Sequence, residues 1–568
     1  MKNLEIARIL NNIADILEIQ EVPFKPRAYR NAARAIESLS EDIEELYKRG
    51  ELEKIPGVGE HIAKKIEEII KTGKLKYYEK LKKELKIDLE SLKHIPSLGP
   101  KKIKFLFGKL KIKNLNDLEK AAKQQKLREL PGFGEETEKN ILQGIEFVKN
   151  RPKRFLYSEV SPIVNDIIKR LSSLKFVEKI EVAGSYRRSK ETIGDLDFLA
   201  VSKQPEKVME AFTSLPDIKK VLAKGLTKAS ILLGQIQVDL RVVAEKEYGS
   251  ALLYFIGNKE HNVELRKLAL SKGYTLSEYG LFKVKGKSWI AGRTENEIYN
   301  KLGLSYIPPE LRENMGEIKA AQNNSLPRII EQKDVNGIFH NHTTWSDGSS
   351  SIAEMVKKAE ELKLKFISFN DHFGPIGITN PLNEKRLDAY LKEIDKVRKK
   401  TKIKIFSGIE IDILKDGSLP LSAEKLKQLD VVIASVHISQ KMTEVEMTKR
   451  VCSALENYPI NILGHPTGRL LQEREPLALN MEKVFQTAKR RNVFLEINAS
   501  PHRMDLPYNL IKTAIKAGCK LALGSDAHAP GQLDYFGYAV MNARRGWAEK
   551  KDILNCWNLK EIEKALRK

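Results

Sequence analysis

The feature that most limits how this chain can fold is segment 338–348, where an apolar run ends in His340-Asn-His342 and an Asp347-Gly turn follows. On a β-strand, His340 and His342 point to the same face, because side chains repeat every two residues. Two imidazoles with a carboxylate close behind are a common ligand set for zinc and related ions. The segment predicts the start of a metal site at a strand end, although a structural histidine pair is the alternative.

The same design recurs in six apolar runs further along the chain, and most of them also end in His, Asp or Glu. Stretches with helical spacing, such as residues 352–362 and 481–491, separate the runs. This alternation predicts an α/β barrel, in which the chemistry lies at the C-terminal ends of the strands. The candidate metal ligands are His340, His342, Asp347, His372, Glu410, His437, His465, Asp526 and His528.

Nine ligands are too many for one ion and fit two or three ions that share a bridging carboxylate. The alternative is a set of unrelated histidines, but six of the ten histidines lie at strand ends. This ordered set resembles the PHP (polymerase and histidinol phosphatase) domain over about residues 335–568. The resemblance implies a distorted (β/α)7 barrel, Mn²⁺ or Zn²⁺, and phosphoester hydrolysis. Arg503, in a loop that also matches the family, would hold a substrate phosphate; a surface arginine is the alternative.

Three turns in the N-terminal part share one pattern: Ile55-Pro-Gly57-Val-Gly59, Ile95-Pro-Ser-Leu-Gly99 and Leu130-Pro-Gly132-Phe-Gly134. A helical pattern follows each turn, so backbone N–H groups and the positive end of a helix dipole would face a bound anion. Such a site holds a DNA phosphate without reading bases, and the net charge of +23 agrees with a polyanionic partner. The turns resemble helix-hairpin-helix motifs, which implies Na⁺ or K⁺ at the contact.

Three carboxylates follow in the middle of the chain. Asp195 and Asp197 lie two apart in a predicted strand, and Asp239 lies in another predicted strand, 236–243. Three converging carboxylates would repel one another without cations, and they suit two Mg²⁺ ions that clamp a triphosphate and an attacking 3′-hydroxyl. Gly184-Ser185 precedes them, at the predicted start of a short helix that could cradle phosphates.

This arrangement resembles the nucleotidyltransferase palm of family X DNA polymerases, over about residues 1–318. The resemblance implies that Asp195, Asp197 and Asp239 are catalytic and bind Mg²⁺. It assigns further nucleotide contacts to Gly184, Ser185 and Arg188 (triphosphate), Tyr254, Phe255 and Gly257 (sugar segment), Asn262 (base) and Arg266 (template side). Ile256 and Asn258 replace the usual Thr and Ser of this segment, which leaves sugar discrimination open.

The first eighty residues also resemble the small lyase domain of family X, and Lys65 falls where its Schiff-base lysine would lie. An amine nucleophile needs a lowered pKa, which Lys64 and His61 would partly supply. The alternative is a solvated, DNA-facing lysine pair.

The expected fold is multidomain, α+β and α/β. The expected regions are 1–84 (small helical lyase-like domain), 85–150 (helix-hairpin-helix domain), 151–245 (palm), 246–318 (thumb), 319–334 (linker) and 335–568 (PHP barrel). The chain has no run of eighteen apolar residues, and its three cysteines are widely spaced. These features favour a soluble, cytoplasmic protein without a membrane partner, disulfide framework or cysteine-type zinc site. We also expect a monomer.

Both halves together resemble the bacterial and archaeal form of family X polymerase. This resemblance implies gap filling in base excision repair, on gapped or primed DNA with dNTPs, joined to a 3′-5′ exonuclease. AP endonuclease, 3′-phosphatase and 5′-deoxyribose phosphate lyase are further activities to consider. The rivals are a DNA-binding module with a purely structural barrel, and a small-molecule phosphatase with an unrelated N-terminal half.

Overall fold

The computed structural model describes residues 2–37, 43–85, 87–93, 95, 98–150, 154–375 and 377–567. The N-terminal region is entirely helical, and one hydrophobic core holds together apolar side chains between Ile6 and Ile145. The two domains expected on either side of residue 85 therefore pack on a shared core. The helices are α1 (Lys2–Ile19), α2 (Lys25–Glu37), α3 (Ile43–Lys48), α4 (Glu60–Thr72), α5 (Lys76–Leu85), α6 (Leu89–Lys93), α7 (Pro100–Leu110), α8 (Leu115–Lys123) and α9 (Glu135–Asn150).

The palm region contains a five-stranded sheet, with two helices packed on one face, and a separate two-stranded sheet. Its elements are β1 (Phe155–Leu156), α10 (Tyr157–Ser172), β2 (Lys179–Val182), α11 (Gly184–Arg187), β3 (Thr192–Ile193), β4 (Asp195–Val201), α12 (Pro205–Thr213), β5 (Ile218–Lys224), β6 (Lys228–Leu233) and β7 (Ile236–Val243). The order of the five-stranded sheet is β2-β4-β7-β6-β5, in which β4 and β7 are parallel, and β1 and β3 form the two-stranded sheet. Helices α10 and α12 pack on one face of the larger sheet. In β4, Leu196 and Phe198 are buried against the helices. Asp195 and Asp197 therefore face the opposite side of the sheet.

The thumb region contains α13 (Tyr248–Ile256), α14 (Lys259–Ser271), β8 (Tyr274–Ser277), β9 (Gly280–Lys283), β10 (Trp289–Ala291), α15 (Glu295–Lys301) and α16 (Glu317–Gln322). Residues 319–334, the predicted linker, pack against the regions on both sides. Ala321 is buried in the thumb core, and the buried Ile330 donates its N–H to Ala548 O (3.1 Å) in the barrel region. A turn follows α16, in which Ser325 N–H donates to Ala320 O (2.8 Å).

The C-terminal region is a closed barrel of seven parallel strands in the order β11 to β17. This confirms the predicted barrel, because each apolar run of the sequence forms one strand. Its elements are β11 (Gly337–Asn341), α17 (Ile352–Glu361), β12 (Phe366–Phe373), α18 (Glu384–Arg398), β13 (Lys404–Asp412), α19 (Ala423–Leu426), β14 (Val431–Ser435), α20 (Glu444–Asn457), β15 (Ile462–Leu463), α21 (Met481–Arg490), β16 (Phe494–Asn498), α22 (Tyr508–Ala517), β17 (Leu521–Ala527), α23 (Phe536–Arg545) and α24 (Leu559–Leu566).

Short 3₁₀ helices connect several elements, at Leu52–Lys54, Glu245–Glu247, Pro309–Leu311, Gln332–Asp334, Gly377–Thr379, Pro530–Tyr535, Lys550–Asp552 and Leu554–Cys556. Within the part of the chain that the structure describes, no helix is both long and apolar enough to cross a membrane.

Candidate active sites

The barrel gathers the nine predicted metal ligands at one end, where its parallel strands finish. Among the described residues, three groups bring three or more ligand atoms within 4.8 Å of one another, and all three lie here. The groups are His342, Asp347, His372 and His528; His340, His342 and Asp526; and His372, Glu410 and His437. His342 and His372 each belong to two groups, so the groups form one continuous centre.

Glu410, on β13, lies at the middle of this centre. Its Oε2 is 3.0 Å from His372 Nδ1, 3.3 Å from His340 Nε2 and 3.7 Å from His342 Nε2. Its Oε1 is 3.0 Å from His465 Nε2 and 3.3 Å from His437 Nε2. A carboxylate in contact with five imidazoles has the geometry of a bridging ligand between ions.

The centre contains buried ligand atoms that form no hydrogen bond with the described part of the protein. His340 Nε2, both ring nitrogens of His342, and Glu410 Oε2 are buried without a hydrogen bond from described residues. Burial, followed by the neighbouring His528 and His372, lowers the pKa of His342 to about 3, so its ring is neutral and free to bind a cation. Because leaving buried polar atoms unpaired is costly, the donor set fits divalent ions.

Three side chains outside the predicted set form hydrogen bonds that orient the predicted ligands. Glu496 Oε1 lies 2.5 Å from His340 Nδ1, and Asp412 Oδ1 lies 2.9 Å from His437 Nδ1. Asn498 Nδ2 donates to Asp526 Oδ2 (3.1 Å). Such outer partners set the tautomer and direction of metal-binding rings. Glu496 and Asn498 end a recognised apolar run, so their position at a strand end was the available signal.

Arg503 lies beside the same centre, where its Nε is 3.4 Å from Asp526 Oδ2. Its NH1 is buried and has no hydrogen-bond partner among the described residues. The structure therefore places a guanidinium with a spare donor next to the metal ligands, an arrangement suited to a substrate phosphate.

The palm carboxylates lie on β4 and β7, where Asp197 stands directly opposite Asp239 in the parallel register. Burial, Asp195 and Asp239 raise the pKa of Asp197 to about 7, which reflects the repulsion expected of like charges without a cation. Asp239 is partly balanced by Gln237 Nε2 (2.9 Å) and Lys228 Nζ (3.7 Å).

The turn from β2 into α11 lies against these carboxylates. Gly184 has φ +60°, and a Cβ atom there would lie 2.5 Å from Asp197 Oδ2, so a larger residue would be strained and would displace this carboxylate. Ser185 Oγ is buried and forms no hydrogen bond within the described part of the chain. A spare buried hydroxyl beside carboxylates suits a phosphate oxygen.

Arg188, expected to bind the triphosphate, is committed to protein contacts in this structure. It is buried, its Nε donates to Glu313 Oε1 (3.1 Å), and its NH1 donates to Ile256 O next to Gly257. The guanidinium thus ties α11 to the end of α13. Glu313 lies outside every motif that we recognised in the sequence.

The predicted sugar, base and template residues form one connected surface on α13 and α14. The rings of Tyr254 and Phe255 meet edge to face at 5.1 Å. Asn262 Nδ2 donates to Tyr254 O (2.7 Å), and Arg266 Nε donates to Asn262 O (3.2 Å). Asn258 caps α14 by accepting from His261 N–H (2.8 Å), which gives this departure from the family pattern a structural role.

Three similar turns precede helices in the N-terminal region. Exposed Gly59, Gly99 and Gly134 directly precede α4, α7 and α9, and Gly57 and Gly132 both have φ +79°. Each turn is closed by the same backbone hydrogen bond, from Val58 to Ile55, from Leu98 to Ile95, and from Phe133 to Leu130. Pro96 and Ser97 of the second turn lie outside the described residues. The shared geometry leaves three helix N-termini open to solvent.

Lys65, on α4, is partly buried, with Nζ 5.1 Å from the Tyr77 ring centroid. Burial and then Lys25 lower its pKa, whereas Lys64 forms an ion pair with Glu60 (2.6 Å). The expectation that Lys64 and His61 lower this pKa is therefore wrong. Lys25 lies on α2, so only the fold brings its charge close enough to act on Lys65.

One known protein matches the chain along its whole length. The chain is 35% identical to the Bacillus subtilis protein "DNA polymerase/3′-5′ exonuclease PolX", over 100% of both chains. The chain belongs to the PolX family. Family models match a helix-hairpin-helix domain at residues 1–75, a SAM-like helix-hairpin-helix tandem at 89–146, a DNA polymerase beta palm at 154–260, a DNA polymerase beta thumb at 251–313 and a PHP domain at 339–500.

Two shorter relatives resemble only part of this PolX chain. A "probable phosphatase" of Thermoanaerobacter pseudethanolicus is 31% identical over 38% of the chain and 88% of its own length. A "probable phosphatase" of Caldicellulosiruptor saccharolyticus is 32% identical over 33% of the chain and 78% of its own length. The matched PHP range ends at residue 500, and the structure brings Asp526 and His528, which lie beyond it, to the other predicted ligands.

Proposed function

We infer that this PolX family member is a DNA polymerase that also carries a 3′-5′ exonuclease. The observation that carries the inference is the pairing, in one chain, of two arrangements. One is the opposed Asp197 and Asp239 beside the Gly184-Ser185 turn. The other is the ligand centre around Glu410 in the barrel.

For synthesis, Asp195, Asp197 and Asp239 would hold Mg²⁺, and Ser185 would offer its unpaired hydroxyl to the triphosphate. The bound ions would neutralise charge on the reacting phosphate and favour ionisation of the primer 3′-hydroxyl. Tyr254, with its half-exposed ring, and Phe255 would contact the sugar, while Asn262 and Arg266 would reach the base and template.

For degradation, the nine barrel residues would hold two or three ions, either Mn²⁺ or Zn²⁺. When bound there, such ions would supply a hydroxide at neutral pH and stabilise charge on the phosphodiester. Arg503 would bind a phosphate oxygen through its unpaired NH1. AP endonuclease and 3′-phosphatase action would use the same centre.

The substrate that we propose is gapped DNA in base excision repair. Three open helix N-termini and a net charge of +23 support contact with DNA backbone, with Na⁺ or K⁺ joining the contact at the helix-hairpin-helix turns. Lys65 would act on a 5′-deoxyribose phosphate end, since burial and Lys25 lower the pKa of its amine.

The test uses a gapped duplex with a labelled primer, incubated with the full chain in Mg²⁺ or Mn²⁺, with and without dNTPs. We expect extension with dNTPs and shortening from the 3′ end without them. A free phosphomonoester is the parallel substrate: hydrolysis of this compound, with the primer left unchanged, would favour a small-molecule phosphatase and refute the proposal. DNA binding without either reaction would favour a binding module.

A further inference from the structure

The barrel touches the palm through helix α23, and this contact leads to the triphosphate turn. Arg545, at the end of α23, has a completely buried side chain. Its NH1 lies 2.6 Å from Glu191 Oε2, and its NH2 lies 3.5 Å from Glu313 Oε1. Glu313 in turn accepts from Arg188 Nε (3.1 Å) and Asn258 Nδ2 (3.2 Å). Two contacts therefore separate a barrel side chain from α11.

A second path runs from the same helix to the same turn. The ring of Tyr538, on α23, meets Tyr157 edge to face at 6.2 Å. Tyr157 stacks on Tyr186 at 4.3 Å, and Tyr186 directly follows Ser185. Helix α23 thus supports α11 through an aromatic contact as well as an ionic one.

The charged side chains at this boundary form ion pairs between the palm side and the barrel. The cations on Glu191 are Arg469 (3.3 Å) and Arg545, both from the barrel. Burial alone would raise the pKa of Glu191, but these two arginines lower it to about 2. Glu313 is shared between Arg188 and Lys190 of the palm and Arg545 of the barrel. Four cations thus surround two carboxylates, which leaves an excess of two positive charges next to the triphosphate turn.

Arg188 connects this boundary to the proposed nucleotide site. It holds Glu313 through Nε and Ile256 O through NH1, so it fixes α11 against the end of α13. Ser185 lies on α11, and Tyr254 and Phe255 lie on α13. A shift of Glu313 would move the phosphate contacts relative to the sugar contacts.

We propose that Arg545 of the barrel is a positioning residue for nucleotide addition: it holds the Glu313–Arg188 pair and so sets the triphosphate turn against α13. This inference rests on the proposed polymerase function. The metal-binding barrel then has a second task, which is to shape the dNTP site of the palm. Arg545 itself touches no substrate.

The test compares two adjacent arginines of α23 in the full chain. Arg545→Gln removes the cation that reaches Glu313. Arg544→Gln is the control, because Arg544 lies next to Arg545 on α23 and also pairs with a carboxylate outside the barrel. It donates to Glu310 (2.9 Å) and Ile330 O (2.7 Å), and these contacts do not lead to Arg188. In single-nucleotide gap filling we expect Arg545→Gln to raise KM for dNTP about tenfold, with kcat changed less than about threefold. We expect Arg544→Gln to leave both values near wild type.

Three further measurements separate positioning from loss of structure. Arg545→Lys should restore part of the lost dNTP affinity. The exonuclease rate should stay near wild type in all three variants. If Arg545→Gln unfolds, because Glu191 is left buried with too little positive charge, the double variant Glu191→Gln/Arg545→Gln removes that charge. The double variant should fold and keep the raised KM.

A double-mutant cycle with Arg188→Gln tests the route. If Arg545 acts through Arg188, Arg545→Gln should change KM by less than about twofold in the Arg188→Gln background. Equal KM values for folded Arg545→Gln and Arg544→Gln would overturn the inference, as would full additivity in the cycle. Absence of nucleotide addition by the wild-type chain would instead refute the proposed function.

Discussion

Replacing Gly184 by Ala should damage synthesis far more than stability. The added Cβ would lie 2.5 Å from Asp197 Oδ2, whereas ordinary contact begins at 3.4 Å, so the carboxylate must move by about 0.9 Å. A misplacement of about 1 Å at a reacting centre costs roughly 100-fold in rate, which corresponds to about 2.7 kcal/mol in the barrier. The positive φ of +60° adds a separate folding cost of about 1–2 kcal/mol.

Gly234→Ala is the matched control in the same palm. Gly234 has φ +57° in the turn between β6 and β7, and a Cβ atom there would meet nothing within 4 Å. Both variants therefore carry a similar backbone cost, but only Gly184→Ala displaces the Asp197 carboxylate. The midpoint temperature of thermal unfolding should fall by a similar amount in the two variants.

The assay is single-turnover filling of a one-nucleotide gap at saturating dNTP and Mg²⁺, with 3′ degradation measured in parallel. We expect the Gly184→Ala rate to be about 100-fold below that of Gly234→Ala, with equal degradation by both. Rates within about threefold of each other would refute the reasoning. The same result would mean that the turn does not hold Asp197 in place.

Asp197→Asn should abolish nucleotide addition and leave 3′ degradation nearly intact, because by our proposal its carboxylate would serve only the palm metals; substantial primer extension by this variant would contradict the carboxylate assignment. Since the pKa of Asp197 is raised to about 7, protons should compete with Mg²⁺ for this carboxylate below that pH. The Mg²⁺ concentration needed for half-maximal extension should therefore rise as the pH falls from 8 to 6. An unchanged Mg²⁺ requirement would argue against Asp197 as a Mg²⁺ ligand. Borohydride should trap the chain on a 5′-deoxyribose phosphate end, and an adduct that persists in Lys65→Ala would reject Lys65 as the nucleophile. His342→Ala or Asp526→Ala should lower both metal content and 3′ degradation while synthesis remains measurable, and wild-type values of both would rule out the barrel centre as the nuclease.

The sequence alone was sufficient for features that depend on local spacing. Apolar runs ending in His, Asp or Glu predicted the barrel strands and which of their ends would carry the metal ligands, because parallel strands deliver their C-terminal ends to one face. In the same way, the spacing of Asp195 and Asp197 predicted that both carboxylates share one face of β4. These inferences needed only the periodicity of a strand.

The tertiary structure decided which distant side chains meet. Glu313 lies 125 residues from Arg188, and Arg545 lies 354 residues from Glu191, yet these pairs organise the boundary between palm and barrel. Burial and then Lys25 of α2, rather than the adjacent Lys64, lower the pKa of Lys65. Residues 319–334 appear linker-like in sequence, but Ala321 and Ile330 are buried in the thumb and barrel. Periodicity describes how each element faces its own core, whereas contacts between elements depend on how the elements pack, which no local pattern encodes.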